Sequence, residues 1–373
     1  MVPLPTTGAP TYTRVVADQA HGAEPTTGPL TFEELALAGR NRGMPLEALH
    51  YDLTPAGLHY PLIHFDIPVI DPDAWRLRVG GRVRRPLELN LGDIRSRPTV
   101  TVPVTMECAG NGRARLDPRP LSQPWLNEAI GTAAWTGTPL APILADAGLQ
   151  PEAAELVFTG ADHGIQGDVE QDYERSLTIE QAMRPEVMLV YGMNDGPLAP
   201  QHGAPLRLLV PGWYGMTNVK WLTSITAVAE PFAGFQQAVA YRYQRDADDP
   251  GEPVDRIRVR ALMIPPGVPD FFSRRRYVQA GLVRIRGRAW SGHGEIVRVE
   301  VGAGGVWAEA TLDPPIGTFA WRGWSFDWDA TAGDGELACR ATDAAGNVQP
   351  TEPPWNYQGL GNNLVQSVPI TVR

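Results

Sequence analysis

The sequence predicts an α+β unit followed by an immunoglobulin-like β-sandwich. Three observations carry that expectation. Glycine (39) and proline (36) are abundant in the 373 residues, which favours turns and short strands over long helices. Between residues 50 and 245, strand-length apolar runs are separated by Gly/Pro turns without the regular alternation of a doubly wound sheet. Beyond an acidic break at residues 246–253, apolar and polar side chains alternate with period two.

Taken in order, residues 1 to about 30 are rich in Pro, Thr and Gly without periodicity and read as an arm. Thr31-Phe32-Glu33-Glu34 is a capping box, so a short helix is expected over 35–38, stopping near Gly39; the arm and helix together make a segment 1–49. Strands are expected at 156–159, 188–191 and 206–210, and helices at 140–147 and 178–183, within a unit spanning 50–245. The string DADDPGEP at 246–253 reads as a linker. In the unit 254–373, Val283, Ile285 and Gly287 alternate with Arg284, Arg286 and Arg288, and 296–301 and 337–341 alternate likewise.

Composition excludes several classes. With 43% hydrophobic and 20% charged residues the chain is not of the disordered type. No apolar run approaches the roughly 18 residues of a membrane helix. A formal net charge of −10 makes nucleic acid and anionic membranes poor partners. The two cysteines, Cys108 and Cys339, are too few for a disulfide framework and form no C-x-x-C pair. Residues 1–10 lack a basic n-region, a twin arginine and an apolar h-region, so the expectation is a cytoplasmic protein with reduced thiols.

No G-x-S-x-G elbow, H-E-x-x-H pair, P-loop or G-x-G-x-x-G fingerprint occurs. The chemistry concentrates in three strings. In Thr105-Met106-Glu107-Cys108-Ala109-Gly110-Asn111-Gly112-Arg113, a thiol ends a β-rich run and small residues follow, where backbone can approach a bulky ligand. Arg113 would lower the thiol pKa or hold an anion, although a single cysteine also serves as a small core residue. In the second string, a hairpin-type Asn194-Asp195-Gly196 turn leads to His202 and Arg207. In extended chain these lie roughly 16 Å apart at about 3.3 Å per residue, suiting different parts of a large ligand; two polar residues at a surface turn are the plainer reading. The third string, Gly212-Trp213-Tyr214-Gly215-Met216-Thr217-Asn218-Val219-Lys220-Trp221, holds the chain's one lysine, an ammonium suited to phosphate or simply a solvated strand-edge charge.

Together these strings resemble the sulfite oxidase family of molybdenum-cofactor oxidoreductases, in its bacterial haem-free form, from about residue 50 to the C-terminus. Glu107-Cys108-Ala109-Gly110-Asn111 with Arg113 is the most specific element. Ile130-Gly131-Thr132-Ala133-Ala134-Trp135-Thr136-Gly137, the block 191–221, Ala289-Trp290-Ser291-Gly292 and Asn347-Val348-Gln349-Pro350 follow in the family's order. The resemblance implies a molybdopterin-binding domain and an immunoglobulin-like dimerisation domain, hence a homodimer. It implies Cys108 as the thiolate on molybdenum and Arg113 facing an oxyanion substrate. His64, Asp162, His202, Arg207, Asn218, Val219 and Lys220 would bind the pterin and its phosphate. Tyr241 falls where the family places an active-site hydroxyl, with Tyr243 adjacent. The implied reaction oxidises sulfite to sulfate by oxo transfer and passes electrons to an external acceptor, with no haem in the chain.

Two departures stand out. The family's eukaryotic members carry an arginine two residues before the histidine matching His64, where this chain has Leu62, and another near the C-terminus, where it has Ser367. Arg115 and Arg242 are the candidates to compensate. Two alternatives follow: a related enzyme reducing a sulfoxide or nitrate, or a cofactor-free immunoglobulin-like binding protein.

Overall fold

The computed structural model describes residues 25–373, so most of the expected arm lies outside the described residues. The capping box is formed: Thr31 Oγ1 accepts the Glu34 amide and the Glu34 carboxylate accepts the Thr31 amide. The helix it starts, α1 (Phe32–Arg40), runs through Gly39 and is capped by Asn41, so it extends two residues past the expected end at 38. Nothing about Gly39 forces a stop, because its φ is not in the left-handed region. Glu34 is buried and pairs with Arg119 at 2.9 Å, which ties α1 to the body of the molecule.

The first part holds the strands β1 (Leu77–Gly81), β2 (Leu87–Leu89), β3 (Val100–Glu107), β4 (Ile130–Pro139), β5 (Glu155–Gln166), β6 (Val169–Thr178), β7 (Met188–Met193), β8 (Gly196–Pro197), β9 (Arg207–Leu209) and β10 (Leu222–Val228). They form two mixed or antiparallel sheets. One has the order β2-β1-β10-β5-β6, with β1 and β10 parallel; the other has β3-β4-β7-β8, with β9 beside β7. Leu77, Val79, Leu156, Phe158 and Ile225 from the first sheet pack with Leu189 and Leu208 from the second. The helix Ala141–Ala147 closes the same core with Ile143 and Leu144. Helices are few and short; sheet dominates, as the Gly/Pro density predicts.

The second part is two facing sheets. One contains Arg260–Met263, Gly281–Trp290 and Arg322–Ala330; the other contains Ile296–Ala303, Gly333–Asp343 and Gln366–Val372. Ile285, Val299, Val301, Trp324, Leu337, Cys339 and Ile370 fill the space between them. Arg284 and Arg286 point to solvent as the alternation predicts. Arg288 departs from it. It is buried, donates to the Leu49 carbonyl at 2.9 Å and pairs with Asp52 at 2.9 Å, because this end of its strand is covered by the first part.

The segment expected as a linker is a folded hairpin. Arg242–Tyr243 pairs with Glu252–Pro253, and its acidic residues accept turn amides: Asp246 from Asp248 and Asp249, and Asp249 from Arg245 and Gly251. The carboxylates cap the turn, which is why so polar a string is ordered.

Candidate active site

β3 leaves its sheet at Glu107, and the next five residues turn sharply. The Cys108 amide donates to the Ala129 carbonyl at 2.9 Å, and the Asn111 amide returns to the Cys108 carbonyl at 3.0 Å. Gly112 has φ +91°, and a Cβ there would meet the Asn362 carbonyl oxygen at 3.0 Å; only glycine suits the position. A Cβ on Gly110 would lie 2.7 Å from the Arg113 guanidinium, so that glycine lets the arginine fold over the turn. Arg113 is buried and donates from Nε to Gln358 O (3.1 Å) and from Nη1 to Gln123 O (3.2 Å).

Cys108 opens onto a cleft with about 670 Å³ of empty space, part of it open to solvent. Of the residues singled out from sequence, His64, Asp162, His202, Arg207, Asn218, Lys220 and Tyr241 line it with Cys108. Arg113 and Val219 lie outside the lining; Val219 packs its side chain into the core. Tyr241 faces the cleft, whereas Tyr243 lies under the Arg258 guanidinium, 4.2 Å from its ring centroid, so the two neighbouring tyrosines are distinguished.

The extended separation expected for His202 and Arg207 does not occur. A 3-10 turn at Pro200–His202 and Gly203 at φ +105° curl the chain, and Arg207 Nη1 donates to the His202 carbonyl at 2.9 Å. A Cβ on Gly203 would stand 2.9 Å from that of Lys220, so the curl needs glycine. Arg207 Nη2 reaches Asn218 O at 3.0 Å. The Asn218 side chain accepts the Val210 amide and donates to Tyr214 O, so it shapes the loop as well as facing the cleft. Lys220 is no solvated edge charge: it donates to Leu62 O (2.6 Å) and Gln201 O (3.2 Å), with its ammonium 4.1 Å from the Trp221 centroid.

The cleft also contains His59, Tyr60, Tyr173 and Gln201, which sequence reasoning passed over. Tyr173 had a signal: along β6 buried Tyr173 and Arg175 alternate with the more exposed Asp172 and Glu174. His59 and Tyr60 had none beyond lying near His64. Leu62 lines the cleft, so no guanidinium enters from that position. Ser367 sits in Gln366–Val372 opposite Ala338, outside the lining, and Arg242 is spent on the carbonyls of Pro250 and Gly251.

Burial sets the electrostatics. It drives His59 down to about 4 and His202 down to about 3, the latter helped by His59, Arg207 and Lys220. Burial and then Arg207 bring Lys220 down to about 7, burial lifts Asp162 to about 6, and burial lowers Arg207 to about 10. Burial raises the Cys108 thiol, with Arg113 pulling against it; proximity to the arginine does not by itself produce a free thiolate. Cationic groups are thus crowded where charge is costly, and an anion placed among them relieves the cost.

Several buried polar atoms of the cleft residues lack partners: His59 Nε2, Asp162 Oδ1 and Arg207 Nε. They suit a polar organic ligand with an anionic end. Among the described residues no three His, Cys, Asp or Glu side chains are grouped to hold a metal ion, so a metal at Cys108 would draw its other ligands from such an organic group. The donor set therefore fits a pterin-phosphate that carries a soft-ligated metal.

Residues 64–236 match the family model described as the oxidoreductase molybdopterin binding domain, and residues 257–373 that of the Mo-co oxidoreductase dimerisation domain. The chain is 33% identical over 345 residues to human mitochondrial sulfite oxidase, covering 86% of this chain and 62% of the human protein. It thus spans less than two thirds of that relative. Chicken sulfite oxidase is 34% identical over 329 residues, covering 83% of this chain and 71% of the relative. Nitrate reductase [NADH] 1 of Oryza sativa subsp. japonica is 30% identical over 354 residues, covering 87% of this chain and 38% of the relative. The crystal structure of the sulfane dehydrogenase SoxCD from Paracoccus pantotrophus shares the fold, with TM-score 0.75, 24% identity and 93% of each chain covered.

Proposed function

Starting from the fact that the chain belongs to the sulfite oxidase family of molybdenum-cofactor oxidoreductases, we propose that it oxidises sulfite to sulfate and passes the electrons to an external acceptor. When bound, the molybdenum cofactor supplies the oxo transfer and the two-electron redox change. The residues of the chain bind, orient and screen. Cys108 offers a soft thiolate at the cleft wall, and metal binding offsets the burial that otherwise keeps the thiol protonated. Lys220, Arg207 and His202 crowd one region of the cleft and would take the phosphate and pterin donors. His64 is held by Gln166 at 2.7 Å and would present its ring to the same group. Tyr241, raised to about 12 by burial, stays protonated and would donate a hydrogen bond to a substrate oxygen. Arg113, within electrostatic reach of both Cys108 and Tyr241, would draw in the anion.

The observation that carries this reading is the convergence of Cys108 with His202, Arg207 and Lys220 on one cleft. The second unit matches a dimerisation model and its two facing sheets fit an immunoglobulin-like module, which supports a homodimer. One observation favours a second reading. With Leu62 in the lining and a nitrate reductase among the relatives, a less cationic pocket would suit reduction of nitrate or a sulfoxide. Steady-state assays separate them. Turnover of sulfite with ferricyanide supports the first reading; turnover only with reduced dye plus nitrate or sulfoxide supports the second.

A further inference from the structure

Behind Cys108 lies a buried polar network that the proposed chemistry does not use. Glu107 is 2% exposed and lies outside the cleft lining. Its carboxylate accepts from Arg260 Nη1 at 2.7 Å, Trp290 Nε1 at 2.8 Å and Asn111 Nδ2 at 2.9 Å. Arg260 and Trp290 oppose each other on one rung of the ladder joining their strands in the second unit. Asn111 carries the connection forward: its Oδ1 accepts the Ala129 amide at 3.1 Å, and the Ala129 carbonyl accepts the Cys108 amide at 2.9 Å. A further grip comes from the same unit. Gly361 N donates to Ala109 O at 2.7 Å, and Asn362 Nδ2 to Gly112 O at 2.8 Å.

A buried ion pair is a poor way to stabilise a fold, since apolar packing of equal volume does as well or better. What three charge-assisted or directed bonds on one carboxylate provide is a fixed orientation. Here the oriented group is the residue next to Cys108 in the chain. We propose that Arg260 and Trp290 are positioning residues: acting through Glu107 and Asn111, they hold the Cys108 turn so that its sulfur faces the cleft. The second unit then forms part of the mould for the metal-binding thiol, beyond any part in association. The proposal rests on reading Cys108 as the protein's metal ligand. Partners that orient a metal ligand without touching the metal are typically worth about 10–100-fold in affinity or activity.

The test uses full-length protein in cofactor-free and loaded forms, with iodoacetamide alkylation of Cys108 followed by mass spectrometry. Cys339, sealed in the sandwich core, is the internal control for folding. In cofactor-free protein, Trp290→Phe should speed Cys108 alkylation about tenfold while Cys339 stays protected; in loaded protein, kcat should fall about tenfold with KM unchanged. An unchanged Cys108 rate with native circular dichroism overturns the proposal. If Trp290→Phe exposes Cys339 as well, Glu107→Gln, which keeps the shape but removes the charge, decides by the same comparison. Failure of the underlying reading looks different: loaded wild-type protein would then alkylate at Cys108 as fast as cofactor-free protein.

Discussion

The two cysteines sit in regions that differ in one physical respect. Cys339 lies at 0% exposure among Ile285, Val299, Leu337 and Ile370, and burial pushes its thiol far up, with Arg260 pulling only partly against it. Cys108 is almost as buried, yet it faces a cleft where His59, Asp162 and Arg207 hold polar atoms with no partner. The sandwich core has an unmet donor of its own in Trp324 Nε1, but around Cys108 the unmet atoms of His59, Asp162 and Arg207 line one cleft. Burial of a cysteine therefore says little about its role, and unmet polar groups converging on a cleft beside it say more.

Substitution separates the two regions most sharply. Cys108→Ala should abolish molybdenum-dependent turnover, by more than about 10³-fold, with a melting temperature within a few degrees of wild type. Cys339→Ala should leave kcat/KM intact and cost on the order of 1 kcal/mol in denaturant unfolding. Equal losses of stability and activity in both variants would erase the distinction. Lys220→Met should lower cofactor retention at least tenfold after gel filtration, because a charge-assisted phosphate contact is worth about 1.5–3 kcal/mol. In cofactor-free protein, Lys220 near 7 lies below its unfolded value, so the unfolded state binds more protons between about pH 7 and 10.5 and stability rises with pH. The variant should flatten that rise. Leu62→Arg tests the departure from the eukaryotic pattern: if sulfite is the substrate, its KM should fall about tenfold with kcat little changed.

A further effect concerns the cleft's neutral histidines. His59 sits near 4 in the folded protein, below its unfolded value, so in cofactor-free protein stability is full above about pH 6.5 and declines as pH falls toward 4. His59→Gln should remove part of that decline, on the order of 2 kcal/mol between pH 7 and pH 4.5, read from urea midpoints. An identical pH dependence in the variant would place the proton uptake elsewhere; His202 shares the window.

Much of this site was legible as strings. Cys108 at a strand end before glycines, and His202, Arg207 and Lys220 in one block, follow from the sequence and do meet at one cleft. Their geometry was not legible. The curl at Gly203 that brings Arg207 onto the His202 carbonyl depends on the facing Lys220 side chain, which local propensity does not report. Tyr173 was hidden in an alternating strand, where an inward aromatic looks like any core residue. Least visible was the Glu107 network, whose arginine lies 153 residues away and whose tryptophan lies 183 residues away. Among elements, the helix after Thr31 was readable because both ends of its capping box lie within four residues. The acidic string at 246–253 does fall between the two matched units, but its ordered hairpin was not legible, because it depends on Asp246 and Asp249 accepting turn amides.

The Cys108 sulfur is proposed as the protein's ligand to the metal. X-ray absorption at the molybdenum edge of loaded protein tests it directly, with wild type compared against Cys108→Ser. The variant should lose one sulfur scatterer from the metal's inner sphere. The same sulfur shell in both proteins, with molybdenum content equal, would contradict it.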